Sequence, residues 1–366
     1  MSEVRILHAA DLHLDSPFEA LGEEKAVQRR AEQRELLTRL TEMAGELRAD
    51  MLFLAGDLLD GAGAYAETRE TLGTALGRLT IPVFLAPGNH DYYSPRSPYA
   101  RLRLPENVHI FRRPVLECVT LPSLGVRVWG AGYTEPSCPP LLRDFSLEKT
   151  PGLLDVLILH AEVGARADSP YCPVSEEELE RSGFDYAGFG HIHKYSGVRR
   201  AGHTVYAWPG CPEGRGFDEC GEKGVVLASV SENACEAEFL PLGTRRYEIL
   251  EVPVGGDALH AALSALPADA ARHIFRVVLT GECSRRPDLE KLQHALEERV
   301  FALSFRDRTV LHRDIWECCS EDSLRGLFLR RLRAAWETAE DEAEREKIVM
   351  AVRAGLAALE EGEGEL

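Results

Sequence analysis

The chain has 366 residues, with 60 acidic and 42 basic side chains, a formal net charge of −18 and a hydrophobic fraction of 45%. This length exceeds one typical domain, and the hydrophobic fraction is ordinary for a globular protein. No apolar run approaches the roughly 18 residues of a membrane span and no apolar leader precedes the first predicted strand, so we expect a cytoplasmic protein with no membrane partner.

Five short apolar runs predict buried strands, because runs of this length bounded by Gly, Pro or Asp are typical of a sheet covered on both faces. They cover residues 4–7, 51–54, 83–85, 156–159 and 186–189. Amphipathic patterns predict helices over 23–48 and 65–79, which gives a βαβαβ order with right-handed crossovers. Residues 108–130 and 203–241 are rich in strand patterns, which we interpret as the second sheet of a two-sheet sandwich flanked by helices.

Each of the five predicted strands is followed by residues that commonly bind metals. These segments are Asp11-Leu12-His13, Gly56-Asp57, Gly88-Asn89-His90-Asp91, His160 and Gly190-His191-Ile192-His193. Ligands bind beyond the carboxyl ends of strands in open α/β sheets, so we expect the segments to converge on one edge. In Asp11/His13 and His191/His193, alternate residues of an extended segment would point the same way.

Together these residues predict a two-metal hydrolase site, although any one of them alone is more often a structural polar residue. Two cations about 3.5 to 4 Å apart need a bridging ligand, for which we choose Asp57. We assign one metal to Asp11, His13, Asp57 and His193, and the other to Asp57, Asn89, His160 and His191. Mixed imidazole and oxygen ligands suit divalent manganese, our first choice, or iron or zinc, better than calcium.

The order D-x-H, G-D, G-N-H-D/E, H and G-H-x-H over residues 11–193 resembles the calcineurin-like metallophosphoesterase superfamily. The flanking sequences L-H-L-D-S-P-F at 12–18 and P-E-N-V-H at 105–109 resemble its DNA-repair exonuclease branch. Within that branch the chain looks like the SbcD-type nucleases and especially the bacterial YhaO-like proteins. The resemblance implies a two-sheet α/β-β/α metallophosphoesterase sandwich, with a small α+β capping domain and a C-terminal helical tail.

The motifs also predict a mechanism for hydrolysis of a phosphodiester. A water that bridges both metals would lose a proton and attack as hydroxide. His90 directly follows a metal ligand, and we predict that it is the general acid or stabilises the charge of the transition state. By resemblance to related phosphatases, Asp60 would orient His90. Asp15 and Asp91 are candidates to hold metal-bound imidazoles, with a structural role equally open.

We divide the chain into a catalytic domain at 1–243, a small capping or accessory domain at 244–318 and a helical tail at 319–366. Residues 244–318 resemble the capping domain of the branch in size and place, and a plain structural appendage is the open alternative. In the tail, two apolar stripes predict two amphipathic helices: Leu324, Phe328, Leu332 and Trp336, then Ile348, Val352, Leu356 and Leu359. The resemblance implies that the tail binds the coiled coil of an SMC-like ATPase, with self-packing as the alternative.

We therefore expect a DNA exonuclease or endonuclease subunit in DNA repair or processing, bound to the DNA backbone and an SMC-like ATPase, with a homodimer also open. The net charge of −18 argues against high affinity for long duplex DNA, although the metals add positive charge and residues 337–366 hold ten acids and three bases. Two alternatives stay open. One is a phosphoesterase for a small phosphodiester, nucleotide or phosphoprotein, and the other is an inactive scaffold subunit.

The nine cysteines include no C-x-x-C pair, and Cys318 and Cys319 are adjacent. This pattern is typical of reduced, mostly buried thiols. We therefore assign neither a disulfide nor a structural zinc site.

Overall fold

The structure is a computed structural model that describes residues 3–61, 63–283, 285–311 and 315–363, with side chains to residue 359. In chain order, its strands are β1 (Val4–Ala9), β2 (Met51–Leu54), β3 (Val83–Leu85), β4 (Val108–Ile110), β5 (Glu117–Leu121), β6 (Val126–Gly130), β7 (Leu154–His160), β8 (Glu162–Val163), β9 (Pro173–Val174), β10 (Tyr186–Gly190), β11 (Arg199–Ala201), β12 (Thr204–Ala207), β13 (Gly224–Val230), β14 (Cys235–Pro241), β15 (Tyr247–Pro253), β16 (Ile274–Thr280), β17 (Glu282–Cys283), β18 (Ala302–Asp307) and β19 (Val310–Leu311). The α-helices are α1 (Glu23–Glu46), α2 (Ala66–Gly77), α3 (Pro98–Arg101), α4 (Glu176–Ser182), α5 (Ala258–Ala265), α6 (Leu289–Leu296), α7 (Leu324–Thr338) and α8 (Glu342–Glu363).

Two six-stranded sheets form most of the fold. The first has the order β14-β13-β1-β2-β3-β4 and the second the order β11-β12-β10-β7-β6-β5. Strands β1 to β4 are parallel, and β13 adds antiparallel to the free side of β1. In the second sheet β12, β10, β7 and β6 are parallel, with β5 and β11 as antiparallel edges. The five predicted strands therefore divide between the two sheets.

The two sheets pack face to face, because alternate residues of their apolar strands point to opposite faces. The inner faces bury one cluster that includes Ile6, Phe53, Phe84, Val156, Ile158 and Tyr186. The outer face of the first sheet packs on α1 and α2, and the outer face of the second on the segment around α4. The layers are helix, sheet, sheet, helix, which confirms the predicted two-sheet sandwich.

The predicted content of the second sheet was wrong in part. Residues 108–130 and 203–241 were expected to form that sheet, but β4, β13 and β14 belong to the first sheet. The reason is pairing at the edges, which local sequence does not encode. Strand β4 extends the parallel ladder beside β3, and β13 hydrogen-bonds with β1. The helix predicted over 23–48 ends at Glu46, just before Arg48 takes a left-handed backbone with φ 50°.

The chain divides into two compact units. One comprises Met1–Ile249, Pro267–Arg276 and Glu297–Ser304, and the other Leu250–Leu266, Val277–Leu296 and Phe305–Leu366. The smaller sheets have the orders β15-β16-β18, β17-β19 and β8-β9. The predicted division at 243 and 318 stays a prediction, and residues 312–314 and 364–366 of its last two segments lie outside the described residues.

Among the described residues, no helix has both the length and the apolar character needed to cross a membrane.

All nine cysteines are free thiols, and five of them are buried: Cys138, Cys172, Cys211, Cys235 and Cys283.

A buried arginine joins α1 to the loop after β12. Arg29 is fully buried, and its Nη1 donates to Glu32 at 2.6 Å and to Glu213 at 3.0 Å. Its Nη2 donates to the Gly214 carbonyl at 3.0 Å. Burial works to lower the pKa of Arg29, but the two carboxylates outweigh it and hold this pKa above its ordinary value. The guanidinium therefore stays charged.

Replacing this arginine should destabilise the protein strongly. Arg29→Ala leaves the buried Glu213 carboxylate with Arg39, at 3.9 Å, as its remaining ion pair within the described part of the chain. We expect a loss of about 3 to 5 kcal/mol in the free energy of unfolding, measured by urea denaturation. The control is Arg30→Ala, since the Arg30 guanidinium donates to the Pro17 carbonyl at the protein surface. Equal losses in both variants would contradict this account.

Candidate metal centre

Three glycines let the loops that carry the motifs approach one another closely. A Cβ atom at Gly56 would overlap the His160 ring, and one at Gly88 would overlap the Asp57 carboxylate. A Cβ atom at Gly190 would overlap the Ala55 carbonyl oxygen. The contacts at Gly56 and Gly190 join the loop after β2 to β7 and β10 of the second sheet, and the contact at Gly88 joins the loops after β2 and β3. Glycine is therefore required for the two sheet edges to meet at the site.

Four of the predicted ligands have a left-handed backbone that is rare outside glycine. The φ angles are 54° at Asp11, 42° at His13, 49° at Asp57 and 99° at His191. Such conformations cost about 1 to 3 kcal/mol each and cluster at functional sites. Hydrogen bonds between the loops hold them, including Asp11 N to Gly56 O at 3.0 Å and His13 N to Asp57 O at 2.9 Å.

The expectation that the D-x-H and H-x-H pairs lie in extended backbone, in which alternate side chains share a face, was wrong. Strand β1 ends at Ala9 and β10 at Gly190, so both pairs lie in loops beyond the strands. Their side chains nevertheless meet, because the left-handed residues redirect the chain.

The first group of ligands contains Asp11, His13 and His193, whose ligand atoms all lie within 4.8 Å of one another. The Nε2 atoms of His13 and His193 are 3.2 Å apart. Asp11 Oδ1 lies 3.9 Å from His193 Nε2. Its two carboxylate oxygens also accept from the backbone N–H of His191, at 3.0 and 3.1 Å. The first and last motifs are thus in direct contact.

The second group contains Asp11, Asp57 and His160. His160 Nδ1 contacts the Ala55 carbonyl at 3.0 Å, which leaves Nε2 toward the site. That Nε2 lies 3.4 Å from Asp57 Oδ2 and 2.9 Å from Asn89 Oδ1. Asp57 Oδ2 is also 3.7 Å from His13 Nε2. The Asp57 carboxylate therefore lies between the two groups, as a bridging ligand requires.

His191 lies beside the second group, with its ring centroid 5.1 Å from that of His160. Its Nε2 contacts Glu162 Oε1 at 2.8 Å, and its ring packs against Tyr171 with centroids 4.6 Å apart. Because Glu162 occupies Nε2, Nδ1 is the nitrogen that remains for a metal. Glu162 was not predicted from the sequence, although it follows His160 by only two residues and is a carboxylate near a predicted ligand.

A second carboxylate that was not predicted from the sequence holds His193. Glu219 Oε1 lies 2.7 Å from His193 Nδ1, and Arg215 Nη2 donates to Glu219 at 2.8 Å. Burial works to raise the pKa of Glu219, but the bonds to His193 and Arg215 outweigh it and bring this pKa well below its usual range. Metal-bound imidazoles commonly pair with a carboxylate in this way. Arg215 and Glu219 lie in a loop after β12 that contains Gly and Pro and has no recognisable periodicity.

Asp60 contacts two imidazoles at once. Its Oδ1 lies 3.3 Å from His90 Nδ1 and 3.3 Å from His13 Nδ1. The hydrogen bond to Asp60 raises the pKa of His90 above its ordinary value, which favours the protonated ring. The His90 side chain is 46% exposed, whereas those of His13 and His160 are fully buried. His90 is thus oriented by Asp60 and open to a ligand.

The other two candidate carboxylates hold backbone and helix groups instead of imidazoles. Asp91 is buried and accepts from the N–H groups of Leu58 and Gly88, at 2.6 and 2.8 Å, and from the Tyr99 hydroxyl. It therefore fixes the loops that carry Asp57 and Asn89. Asp15 accepts from Tyr65 N at 2.9 Å and from the Thr68 hydroxyl, at the start of α2.

The buried carboxylates and imidazoles, together with their burial, shift one another's pKa values. Burial works to raise the pKa of Asp57, but the His160 charge and hydrogen bond outweigh it and lower this pKa below its usual range. Burial alone would lower the pKa of His160, and Asp57 and Asp11 raise it to about 9. Burial raises the pKa of Asp11 to about 6 and lowers that of His13 to about 4. Since ligands bind metals in their deprotonated forms, a metal at His160 would displace its proton.

This donor set fits divalent cations. His13 Nδ1 and His193 Nδ1 each contact a carboxylate, at 3.3 and 2.7 Å. When both Nδ1 atoms carry the proton, the lone pairs of the two Nε2 atoms face each other at 3.2 Å. A cation that both atoms coordinate relieves this repulsion. Mixed imidazole, carboxylate and amide ligands suit manganese, iron or zinc.

The chain matches the family model of calcineurin-like phosphoesterases over residues 4–195, just over half of its length. It therefore belongs to the calcineurin-like phosphoesterase family, whose members use a dinuclear metal site. The matched range holds all seven predicted metal ligands, His90 and Asp60.

Curated relatives lie in the branch that the flanking sequences indicated. The chain is 31% identical to the uncharacterized metallophosphoesterase YhaO of Bacillus subtilis, over 65% of this chain and 60% of that protein. It is 26% identical to the DNA double-strand break repair protein Mre11 of Aeropyrum pernix, over 80% of this chain and 72% of that protein. It is 29% identical to the SbcD component of the SbcCD nuclease of Rhodobacter capsulatus, over 48% of this chain and 39% of that protein. The resemblance to SbcD-type and YhaO-like proteins is confirmed.

Removal of the charge that holds His193 should weaken metal binding. Glu219→Gln keeps the size of the side chain but cannot stabilise a metal-bound imidazole as a carboxylate does. We expect a loss of about 10- to 100-fold in metal affinity, measured by titration with manganese. Glu222→Gln is the matched control, because Glu222 is 50% exposed and pairs with Arg246. An unchanged affinity in Glu219→Gln would show that this contact does not support a ligand.

Proposed function

We propose that this protein is a manganese-dependent DNA nuclease subunit that acts in DNA repair or processing in the cytoplasm. The observation that carries the proposal is the half-exposed His90, held by Asp60 beside a buried group of ligands that fits two metals. The names of the relatives Mre11 and nuclease SbcCD support nucleic acid as the substrate. We also propose that residues 244–318 form a small capping or accessory domain.

In the proposed reaction, two divalent cations would be held by Asp11, His13, Asp57 and His193 and by Asp57, Asn89, His160 and His191. When bound, they supply Lewis acidity and lower the pKa of water. The protein side chains do the rest. Asp57 keeps both metal positions together, while Glu162 and Glu219 fix the ring orientations of His191 and His193.

His90 would supply the proton that the departing oxygen of the phosphodiester needs. Its ring projects from the site with 46% of the side chain exposed, so it can reach a bound substrate. Asp60 holds its Nδ1 at 3.3 Å, which directs Nε2 outward. Because this contact raises the pKa of His90, the acid form persists at higher pH than in a free histidine.

A phosphoesterase for a small phosphodiester is the second candidate, and the net charge of −18 favours it. An acidic surface repels long DNA, whereas a small substrate meets mainly the local charge of the metals. An inactive scaffold is disfavoured, because all seven proposed ligands and His90 are present.

Two substrates separate the roles considered for His90. Removal of a general acid lowers the rate by about 10² to 10⁴ when the leaving group is a deoxyribose hydroxyl. The p-nitrophenolate of bis-p-nitrophenyl phosphate leaves without a proton, so His90→Ala should slow this ester far less than DNA. Manganese-dependent turnover of both substrates is measured, with Asp57→Ala as the variant expected to lose both. Equal losses on both substrates would make His90 a transition-state clamp instead.

We also propose that the tail binds an SMC-like coiled-coil ATPase. Helices α7 and α8 pack on each other in part, because Leu329 and Val352 are buried and Phe328 lies directly over Gly355. Leu324 and Leu327 of α7 stay 70% and 49% exposed. Residues three apart share one helix face, so these leucines form an uncovered apolar patch that a partner helix could cover.

Charged substitutions in this patch should prevent assembly while the fold is kept. We expect the wild-type chain to co-elute on size exclusion with the SMC-like ATPase of its own organism, and Leu324→Glu/Leu327→Glu to elute alone. The control is Met350→Glu on α8, which should still co-elute, because Met350 is 63% exposed and lies on the other helix. If the double variant co-elutes as well, or if the wild type does not, α7 is not the docking helix.

A further inference from the structure

A cavity of about 400 Å³ is lined in part by residues that neighbour the metal ligands in sequence. Its wall includes Ile192 and Lys194, which alternate along the chain with the two ligands of the last motif. Val163, which follows the carboxylate that holds His191, forms another part. Consecutive Cα atoms are about 3.8 Å apart, so the backbone of the cavity wall continues directly into the segment that carries the ligands. A volume of this size is typical of pockets for small ligands.

The cavity is suited to an anion. Lys194 and Arg199 line it, and none of the described residues in its wall is acidic. Arg199 Nε donates to the Ser196 carbonyl at 3.3 Å, and the guanidinium lies 6.0 Å from the Trp208 ring. In a chain with a net charge of −18, this wall brings two cations together. Arg199 also contacts the Tyr206 hydroxyl, which donates to Glu176 at 2.8 Å, so one acid lies near Arg199 outside the wall.

The other walls are partly apolar, and contacts hold two of their aromatic side chains. The Tyr195 ring stacks on Phe239, with centroids 4.6 Å apart and planes 29° apart. Trp208 donates through Nε1 to the Ala161 carbonyl at 3.0 Å. Ile192 is 38% exposed, although in sequence it lies between the predicted ligands His191 and His193. Fixed aromatic and aliphatic surfaces beside cations are the features with which proteins bind nucleobases and their phosphates.

We propose that this cavity binds the nucleotide adjacent to the scissile phosphate. Lys194 and Arg199 hold the phosphate of that nucleotide, and Ile192 and Tyr195 contact its base and sugar. The inference rests on the proposed function, because it names the part of a nucleic acid that the catalytic site needs in order to position a phosphodiester. It also explains how an acidic protein binds a nucleic acid, through one local contact instead of an extended basic surface.

The test uses calorimetry on the full chain with manganese and two probes. Thymidine 3′,5′-bisphosphate can place one phosphate at the metals and the other at Lys194 and Arg199, whereas thymidine 5′-monophosphate has a single phosphate. We expect the wild type to bind the bisphosphate about tenfold more tightly, since charge-assisted hydrogen bonds of this kind are among the strongest. Lys194→Ala/Arg199→Ala should lose this preference. Both side chains are exposed, so the variant should fold, which thermal unfolding checks.

Arg200→Ala is the matched control. Arg200 is the next residue of β11, so it points to the opposite face, and its Nη2 donates to the Cys235 carbonyl at 3.3 Å. This variant should keep the tenfold preference. Equal binding of both probes by the wild type, or an intact preference in the double variant, would overturn the proposal. Cleavage of DNA is measured separately. Tighter binding of the bisphosphate without DNA cleavage would contradict the nuclease proposal and support the cavity proposal. DNA cleavage without this preference would overturn the cavity proposal alone.

Discussion

The structure of the site depends on one constraint: a fully buried carboxylate, Asp57, must find compensating charge. An isolated ionised carboxylate is very costly to bury, so it persists only where cations or hydrogen-bond donors surround it. Here His160 from the second sheet and the backbone N–H of His90 from the first supply them. Because these partners come from different sheets, pairing of Asp57 requires both sheet edges to meet. A bound metal at each side would satisfy the same need more completely.

Other features of the site follow from that meeting. Gly56, Gly88 and Gly190 stand where a Cβ atom would separate the loops, and left-handed residues turn the chain toward Asp57. Two of the carboxylates that hold imidazoles come from later segments, with Glu162 after β7 and Glu219 after β12. The site thus combines a buried set of carboxylates and imidazoles, whose charges balance, with an exposed side chain, His90, that can reach a substrate. In the proposed mechanism, this division separates the residues that hold the metals from the one that reacts with the substrate.

Much of the fold and of the site could be predicted from the sequence, and particular residues show why the rest could not. The strands and motif residues are local patterns, so the runs 51–54 and 83–85 match β2 and β3 residue for residue. Pairing of β13 with β1 joins residues more than 200 positions apart and has no local signal. The same holds for Glu219, which is 26 residues from His193 in sequence. The left-handed backbone at Asp11 and His13 depends on hydrogen bonds from the loop around Asp57, which local propensity does not contain.

Crystals grown with manganese and measured at the manganese absorption edge would show whether Asp57 bridges two divalent metals. If it does, two anomalous difference peaks should lie about 3.5 to 4 Å apart, one on each side of the Asp57 carboxylate. One peak should lie near His13 and His193, and the other near His160 and Asn89. A single peak, or two peaks of which neither lies within bonding distance of Asp57, would rule out a bridging role for this carboxylate.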